Sequence, residues 1–363
     1  MSREYDYEEQ YHEKDRKKWR RERREAQVSD RSKFKKTDQE KKGAIEIDPH
    51  WIRGRVVAIT GEGAWIDAKG VRVLASLKGF LKKERMQAKN IIAVGDIVYF
   101  TADSAIVHIE ERYSFLARTD VSGRKEQLIA VNVDQAVIAI SVVNPPLKPA
   151  LVDRYLIAAE KGNISPIVVI NKIDLLDGAP EEEIQRYRAF VAEYEKFGIP
   201  ILPVSTTTGV GLSALKALLQ DKATVFSGQS GVGKSSLINA AFGLNLKIGE
   251  LAHKTSKGTH TTTMAELLPL PGGGYCVDTP GVRSFGIWKL SKDEVSAHFH
   301  DLSGAACKYP DCLHINEPGC AILKALGGGE ISSLRYESYR TLLNEAIGKS
   351  DNRTKRKENY EFD

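Results

Sequence analysis

Three kinds of hydrophobic patterning follow one another along the chain. Before Gly43 apolar residues are few and follow no sustained helical or strand period, the pattern of an extension outside any core. From about 51 to 118 short β-branched runs are broken by glycine, which predicts five strands at 55–59, 64–66, 71–76, 96–100 and 105–110. Gly61, Gly63, Gly70 and Gly95 supply the turns between them. Five short strands suit a small barrel with OB-fold or SH3-like closure, and periodicity alone does not separate the two. From about 119 to 288 the pattern alternates. Buried-type strands at 135–143, 166–171, 201–205, 224–227 and 274–278 are interleaved with helical stretches such as 149–161, 180–197 and 211–220. That alternation predicts an α/β region with a mostly parallel sheet. Beyond 290 lie three of the four cysteines, a helix expected near 333–346, and a second charged tail. The expected divisions are a charged arm (1–45), a barrel (46–118), an α/β domain (119–289), a cysteine-bearing domain with helices (290–347) and a tail (348–363).

Composition narrows the class. At 363 residues the chain has room for two or three domains, and 42% hydrophobic residues with 30 glycines exclude a fibrous or wholly disordered protein. The apolar run 136–143 falls far short of the ~18 residues of a membrane span. MSREYDYEEQ offers no apolar signal core, and four cysteines do not make a disulfide framework, so a reducing, cytoplasmic setting is expected. The net charge of +5 is uneven: residues 1–42 carry +4, 348–363 carry +1, and the body between is neutral. Residues 14–36 alone reach +8, a basic arm suited to phosphate-backbone contact.

The chemistry begins at Gly228, Gln229, Ser230, Gly231, Val232, Gly233, Lys234 and Ser235, a G-x-x-x-x-G-K-S loop placed between a strand and the helical segment opened by Ser235 and Ser236. Backbone N–H groups of such a loop cradle phosphate oxygens, the lysine reaches the β- and γ-phosphates, and Ser235 ligates Mg²⁺. Asn171, Lys172 and Asp174 form N-K-x-D at the end of an apolar strand. The Asp174 carboxylate matches the N1–H and N2–H₂ edge of guanine, donors that adenine lacks. The Asn171 side chain can tie this loop to the phosphate loop, and the Lys172 stem can lie along the base. Ser205 and Thr206, after the next short strand, mark a further base-contacting loop. Asp278 and Gly281 belong to a D-T-P-G strand end facing the metal and the γ-phosphate, and Thr262 in GTHTTT is the candidate to complete the Mg²⁺ shell.

The order of these motifs is unusual. Ordinary GTPases run phosphate loop, threonine switch, DxxG, NKxD and serine loop, whereas here NKID and VST come first, the order of a circularly permuted G domain. Segments after DTPG then lead directly into the C-terminal region, which suggests that nucleotide state moves the cysteine-bearing domain relative to the barrel. Val282 stands where a water-orienting glutamine is often found, so slow intrinsic hydrolysis is expected, with His260 the nearest candidate catalytic residue besides Lys234. Cys307, Cys312, His314 and Cys320 supply three thiols and one imidazole within 14 residues, a donor set for one closed, structural Zn²⁺ site. Cys276 stands apart in an apolar strand.

Together, NKID, VST, GQSGVGKSS, GTHTTT, DTPG and C-x₄-C-x-H-x₅-C resemble the ribosome small-subunit-dependent GTPase A family, over roughly residues 50–345. The resemblance implies a multidomain chain with an N-terminal OB-fold barrel, a circularly permuted P-loop GTPase domain and a C-terminal zinc-binding domain. It further implies a cytoplasmic GTPase, slow alone and stimulated by the 30S subunit. Late 30S maturation and release of other assembly factors would be its role, with GTP/GDP, Mg²⁺ and 16S rRNA as ligands and a monomer as the expected state. His260 corresponds to that family's candidate catalytic residue. Thr259 departs from the basic residue many members place before it, and the basic arm is longer than the family leads one to expect. The competing reading is an RNA-binding module that uses GTP and GDP as a passive conformational latch.

Overall fold

A computed structural model describes residues 47–77, 91–119, 126–244, 265–278, 290–302 and 306–358. The chain divides into two compact units, Met1–Trp51 and Ile52–Asp363. All that follows concerns the second; the basic arm lies outside the described residues.

The five barrel strands form as the glycine punctuation predicts: β1 (Ile52–Ile59), β2 (Ala64–Ala68), β3 (Val71–Leu77), β4 (Ile97–Phe100) and β5 (Ala105–Ile109). They close in the order β1-β2-β3-β5-β4, with β1 antiparallel to both β2 and β4. Closure depends on a short parallel pairing, Ser76 opposite Ala105 and Leu77 opposite Ile106. This Greek-key closure is the OB-fold solution to the alternative that periodicity left open. Val56, Ile66, Val98 and Ile106 fill the barrel and are fully buried.

A hairpin that the hydrophobic pattern did not announce follows, β6 (Phe115–Thr119) paired with β7 (Glu126–Val131). It is joined to the barrel at Gly95. That residue has φ +97°, and a Cβ there would lie 1.8 Å from the Val131 carbonyl oxygen, so only glycine permits the approach. Asn132 reinforces the joint: fully buried, its amide donates to the Gly95 carbonyl at 3.1 Å and accepts from the Tyr113 N–H at 3.0 Å.

The second sheet holds β8 (Gln135–Ser141), β9 (Ser165–Asn171), β10 (Ile201–Pro203), β11 (Ala223–Gly228), β12 (Glu266–Pro269) and β13 (Tyr275–Asp278) in the order β10-β9-β8-β11-β13-β12. All neighbours are parallel except β12 with β13. β8 is buried at every position, which is why it reads as a continuous apolar run and not as an alternation. Helices α1 (Pro149–Gly162), α2 (Glu181–Glu195), α3 (Leu212–Leu219) and α4 (Lys234–Phe242) accompany the sheet. Pro149 opens α1, and Asn163 ends it in the left-handed conformation. From β8 the chain steps outward through β9 to β10; from β11 it steps the other way. The crevice between those two directions, at the carboxyl ends of the strands, is where ligands settle in open α/β sheets.

The C-terminal region contributes α5 (Lys292–His298), α6 (Ala321–Gly327) and α7 (Ser333–Glu358). Ser291 and Glu294 form a reciprocal capping box at the start of α5. α7 extends beyond the expected 333–346, since the sequence that follows contains good helix formers and no proline. No described helix is long and apolar enough to cross a membrane.

Candidate functional site

β11 ends at Gly228, the first glycine of the phosphate loop, and α4 begins at Lys234. Gly228 has φ +137°, and a Cβ there would fall 2.0 Å from the Ala139 carbonyl oxygen on β8. Gly233 caps α4 at φ +90°, with its missing Cβ 2.6 Å from the Asn171 amide nitrogen. Both glycines are therefore fixed by approach to other strands as well as by dihedral angle. Lys234 Nζ donates to the Gly228 and Gln229 carbonyls at 2.8 and 2.9 Å, which folds the lysine over the loop it serves. Val232 is buried, Gln229, Gly233 and Ser235 are half-buried, and Ser230, Gly231 and Ser236 are exposed.

The N-K-x-D loop leaves the end of β9 alongside. The buried Asn171 amide donates to the Val232 carbonyl at 2.8 Å, the tie expected from the sequence. Lys172, in the left-handed region at φ +64°, donates to the Gly231 carbonyl at 2.8 Å and to the Asn144 carbonyl. Ser205 is fully buried after β10; its hydroxyl donates to Asp174 at 2.5 Å and accepts from the Thr207 and Thr208 N–H groups. Thr206 is half-buried in the same turn. The serine loop thus orients the Asp174 carboxylate, which retains acceptor capacity for two further donors. Asn171 Oδ1 is buried without a hydrogen-bond partner among the described residues, the kind of atom that a bound base or ordered water satisfies. Three strand ends therefore bring together a phosphate cradle and a carboxylate able to read a purine edge. Asp278 ends β13, whereas His260, Thr262 and Gly281 lie outside the described residues.

The second cluster lies between α5 and α6. One donor atom from each of Cys307, Cys312, His314 and Cys320 falls within 4.8 Å of the others. His314 Nδ1 is 3.3 Å from Cys320 Sγ and 3.6 Å from Cys307 Sγ. Glu317 shapes this loop by accepting the Leu313, Ile315 and Asn316 N–H groups at 2.8–3.0 Å, while the Tyr336 and Tyr339 hydroxyls hold the His314 and Leu313 carbonyls. Burial, with Cys320 and Cys307 adding to it, pushes the Cys312 thiol up to about 12. Three thiols so placed do not ionise together unless a cation joins them, and a Cys₃His set at these separations fits a tetrahedral metal ion such as zinc. Cys276 is buried on β13, away from this set.

The RsgA GTPase family profile matches residues 109–288. A relative from Gemmatimonas aurantiaca, "Small ribosomal subunit biogenesis GTPase RsgA", is 40% identical over 309 residues, covering 82% of this chain and 98% of its own. Among solved structures, that of YjeQ from Thermotoga maritima superposes with a TM-score of 0.64 at 31% identity, covering 82% of this chain and 99% of that one. The structure of YloQ, described as a circularly permuted GTPase, gives 0.60 at 26% identity, covering 84% and 98%. The chain belongs to the RsgA GTPase family. It is accordingly a GTP-hydrolysing enzyme, and the motif order read from its sequence is the permuted G domain of that family.

Two features of this RsgA-family site were not foreseen. Asn144, in the loop after β8, contributes a carbonyl and no side chain to Lys172, so no residue pattern marks it. Glu317 is one of the unassigned positions between His314 and Cys320, yet it holds three of the amides around the histidine ligand candidate. An acidic residue within a Cys/His loop is the available signal.

Proposed function

We propose that this RsgA-family GTPase binds GTP and GDP at the carboxyl ends of β9, β10 and β11, and hydrolyses GTP slowly alone. The small (30S) ribosomal subunit stimulates it, in late subunit maturation and the release of other assembly factors. The observation that carries the nucleotide reading is the pair of ties from Asn171 and Lys172 to the Val232 and Gly231 carbonyls, which lock a base-reading loop to a phosphate loop. Asp174, oriented by Ser205, reads guanine, and Lys234 and the amides of 228–236 take the phosphates. Ser235 and Thr262 complete Mg²⁺ coordination, Asp278 and Gly281 sense the γ-phosphate, and His260 assists hydrolysis. One structural zinc occupies Cys307, Cys312, His314 and Cys320.

The subunit reading is supported by relatives named for small ribosomal subunit biogenesis. Cytoplasmic location, 16S rRNA contact, a monomeric state and working domain bounds at 46–118, 119–289 and 290–347 belong to the same proposal. Phosphate release measured with isolated small subunits, with large subunits and with neither tests it. Acceleration by small subunits alone is expected. Equal rates in all three arms overturn the stimulation, and no release in any arm favours the passive RNA-binding latch.

A further inference from the structure

A third loop stands against the phosphate loop and the N-K-x-D loop. It runs from the end of β8 to the start of α1, residues 142–148, and is anchored in the core near both ends, with Val142 fully buried and Leu147 2% exposed. Ser141, the last residue of β8 and 1% exposed, donates its hydroxyl to the Pro145 carbonyl at 2.7 Å, which ties the loop back onto the strand it has just left. In the parallel register of β8 and β9, Ser141 lies opposite Asn171. The strand that launches this loop and the strand that launches N-K-x-D therefore end side by side.

Within the loop Asn144 takes the left-handed conformation at φ +50°, with its side chain exposed and its carbonyl toward Lys172. Lys172 Nζ donates to that carbonyl and, at 2.8 Å, to the carbonyl of Gly231 in the phosphate loop. Pro145 meets the same glycine: its Cδ lies 3.7 Å from where a Gly231 Cβ would be, an ordinary van der Waals approach. One ammonium thus joins carbonyls from two loops, each presenting the negative end of its dipole, and keeps one of its three donors free. Fixing a long lysine side chain costs rotamer freedom, and here that cost is met before nucleotide arrives.

We infer that Ser141 is a positioning residue for guanine-nucleotide binding: through the Pro145 carbonyl it holds the Asn144 carbonyl where Lys172 needs it, and so sets the lysine and the Gly231 bend before nucleotide enters. The loop acts through its backbone, and the Asn144 side chain matters only for the conformation it permits. The inference rests on the reading that the loops of 171–174 and 228–235 bind guanine nucleotide. It adds to the buried Asn171–Val232 tie a second, exposed one, running from Asn144 through Lys172 to Gly231.

The test uses the full chain and a fluorescent GDP analogue, with the melting temperature measured on every variant. Ser141→Ala is expected to weaken GDP binding about three- to tenfold, the value of one ordinary hydrogen bond. The KM for GTP should rise with the dissociation constant, and kcat should change far less. Lys172→Met is expected to weaken GDP binding about tenfold or more, and adding Ser141→Ala to it should cost nothing further, because both act through one ammonium. Two substitutions at Asn144 isolate the backbone requirement. Glycine keeps the carbonyl and tolerates positive φ, whereas a β-branched residue is strongly disfavoured there, so Asn144→Val should bind GDP about three- to tenfold more weakly than Asn144→Gly. If Ser141→Ala does not fold, Asn144→Val takes its place in the cycle with Lys172→Met. Parental GDP affinity in Ser141→Ala whatever its melting temperature, equal affinities in the two Asn144 variants, or fully multiplicative effects with Lys172→Met overturn the inference. Lys234→Ala separates the two levels: if it binds GDP as tightly as the parent, the phosphate-loop reading itself is wrong.

Discussion

Asn171→Ala probes the junction on which the proposed nucleotide site depends. The Asn171 amide and the Val232 carbonyl meet at 2.8 Å, and both residues are 1% exposed, so water does not replace the lost donor. A buried carbonyl left without a partner costs about 1–3 kcal/mol. The loop either keeps its shape and bears that cost, or relaxes and must be reshaped by the nucleotide. In the second case the cost appears in binding as a loss of about five- to 150-fold. In the first it appears as stability, read as a lower melting temperature without nucleotide. Titration of a fluorescent GDP analogue at fixed salt and Mg²⁺, beside thermal melts of the empty and GDP-loaded protein, partitions the two. The sum of the losses should fall within 1–3 kcal/mol either way. Parental affinity together with a parental melting temperature would show that the bond does not hold the loops together. The reasoning from burial would then be wrong. Asn171→Asp should be worse than alanine, since it sets a buried carboxylate against a carbonyl with no donor between them.

The two glycines bounding the loop and its helix should differ sharply under substitution. Gly228→Ala drives a Cβ into the Ala139 carbonyl and should yield little folded protein, whereas Gly243→Ala, at φ +63° with open space around it, should cost only about 1–2 kcal/mol in a thermal melt. Stripping metal with a strong chelator should expose three reactive thiols in a thiol titration and make the segment around 306–320 sensitive to protease, and Cys312→Ser should expose the remaining two thiols and show the same protease sensitivity without chelator. Burial, with Asp134 and Asp67 adding to it, pushes the Tyr113 and Tyr275 hydroxyls up to about 12. The folded pKa values lie above the ordinary value of about 10, so this contribution to stability is intact below pH ~10 and is lost as pH rises toward 12. Alkaline denaturation of Tyr275→Phe should show a shallower loss over that window.

Local chemistry decided what was legible in the sequence. The barrel strands announced themselves because β-branched runs end at glycines. The barrel's topology did not, because it turns on two parallel pairs between β3 and β5 that no local pattern encodes. The β6–β7 hairpin was missed because its strands mix charged and apolar residues without clean alternation, and β12 because ELLP is short and ends in proline. The G-x-x-x-x-G-K-S and N-K-x-D loops were readable since each is a short run of consecutive positions with fixed residue types. The Arg335–Asp153 contact spans 182 positions, and neither residue stands in a motif. Such a pair emerges only once α1 and α7 are packed. The Cys/His set was legible from its spacing, but the carboxylate that organises its loop was not.

The barrel is attached to the nucleotide-binding sheet in two physically different ways. At Gly95 and Asn132 the joint is buried, hydrogen-bonded and too close for any side chain at position 95. Along β12 the rim of the contact is polar and partly exposed, outside the apolar core that Val57 and Leu267 share: Arg72 meets Glu266 at 3.5 Å at one end of the strand, and Tyr275, beside the other end, donates to Asp67 at 2.9 Å with Arg55 over its ring. An exposed ion pair such as the first is worth at most about 1 kcal/mol. By contrast, β12 and β13 are held together over four paired positions, from Glu266–Asp278 to Pro269–Tyr275. A displacement entering these strands from their nucleotide end therefore meets a stiff ladder and a compliant barrel face. The sequence suggested that nucleotide state moves the cysteine-bearing region relative to the barrel. With that region fastened to α1 through Asp153 and the barrel fastened at Asn132, the polar edge along β12 is where such movement costs least. The barrel should pivot about Gly95, and the C-terminal region should travel with the sheet.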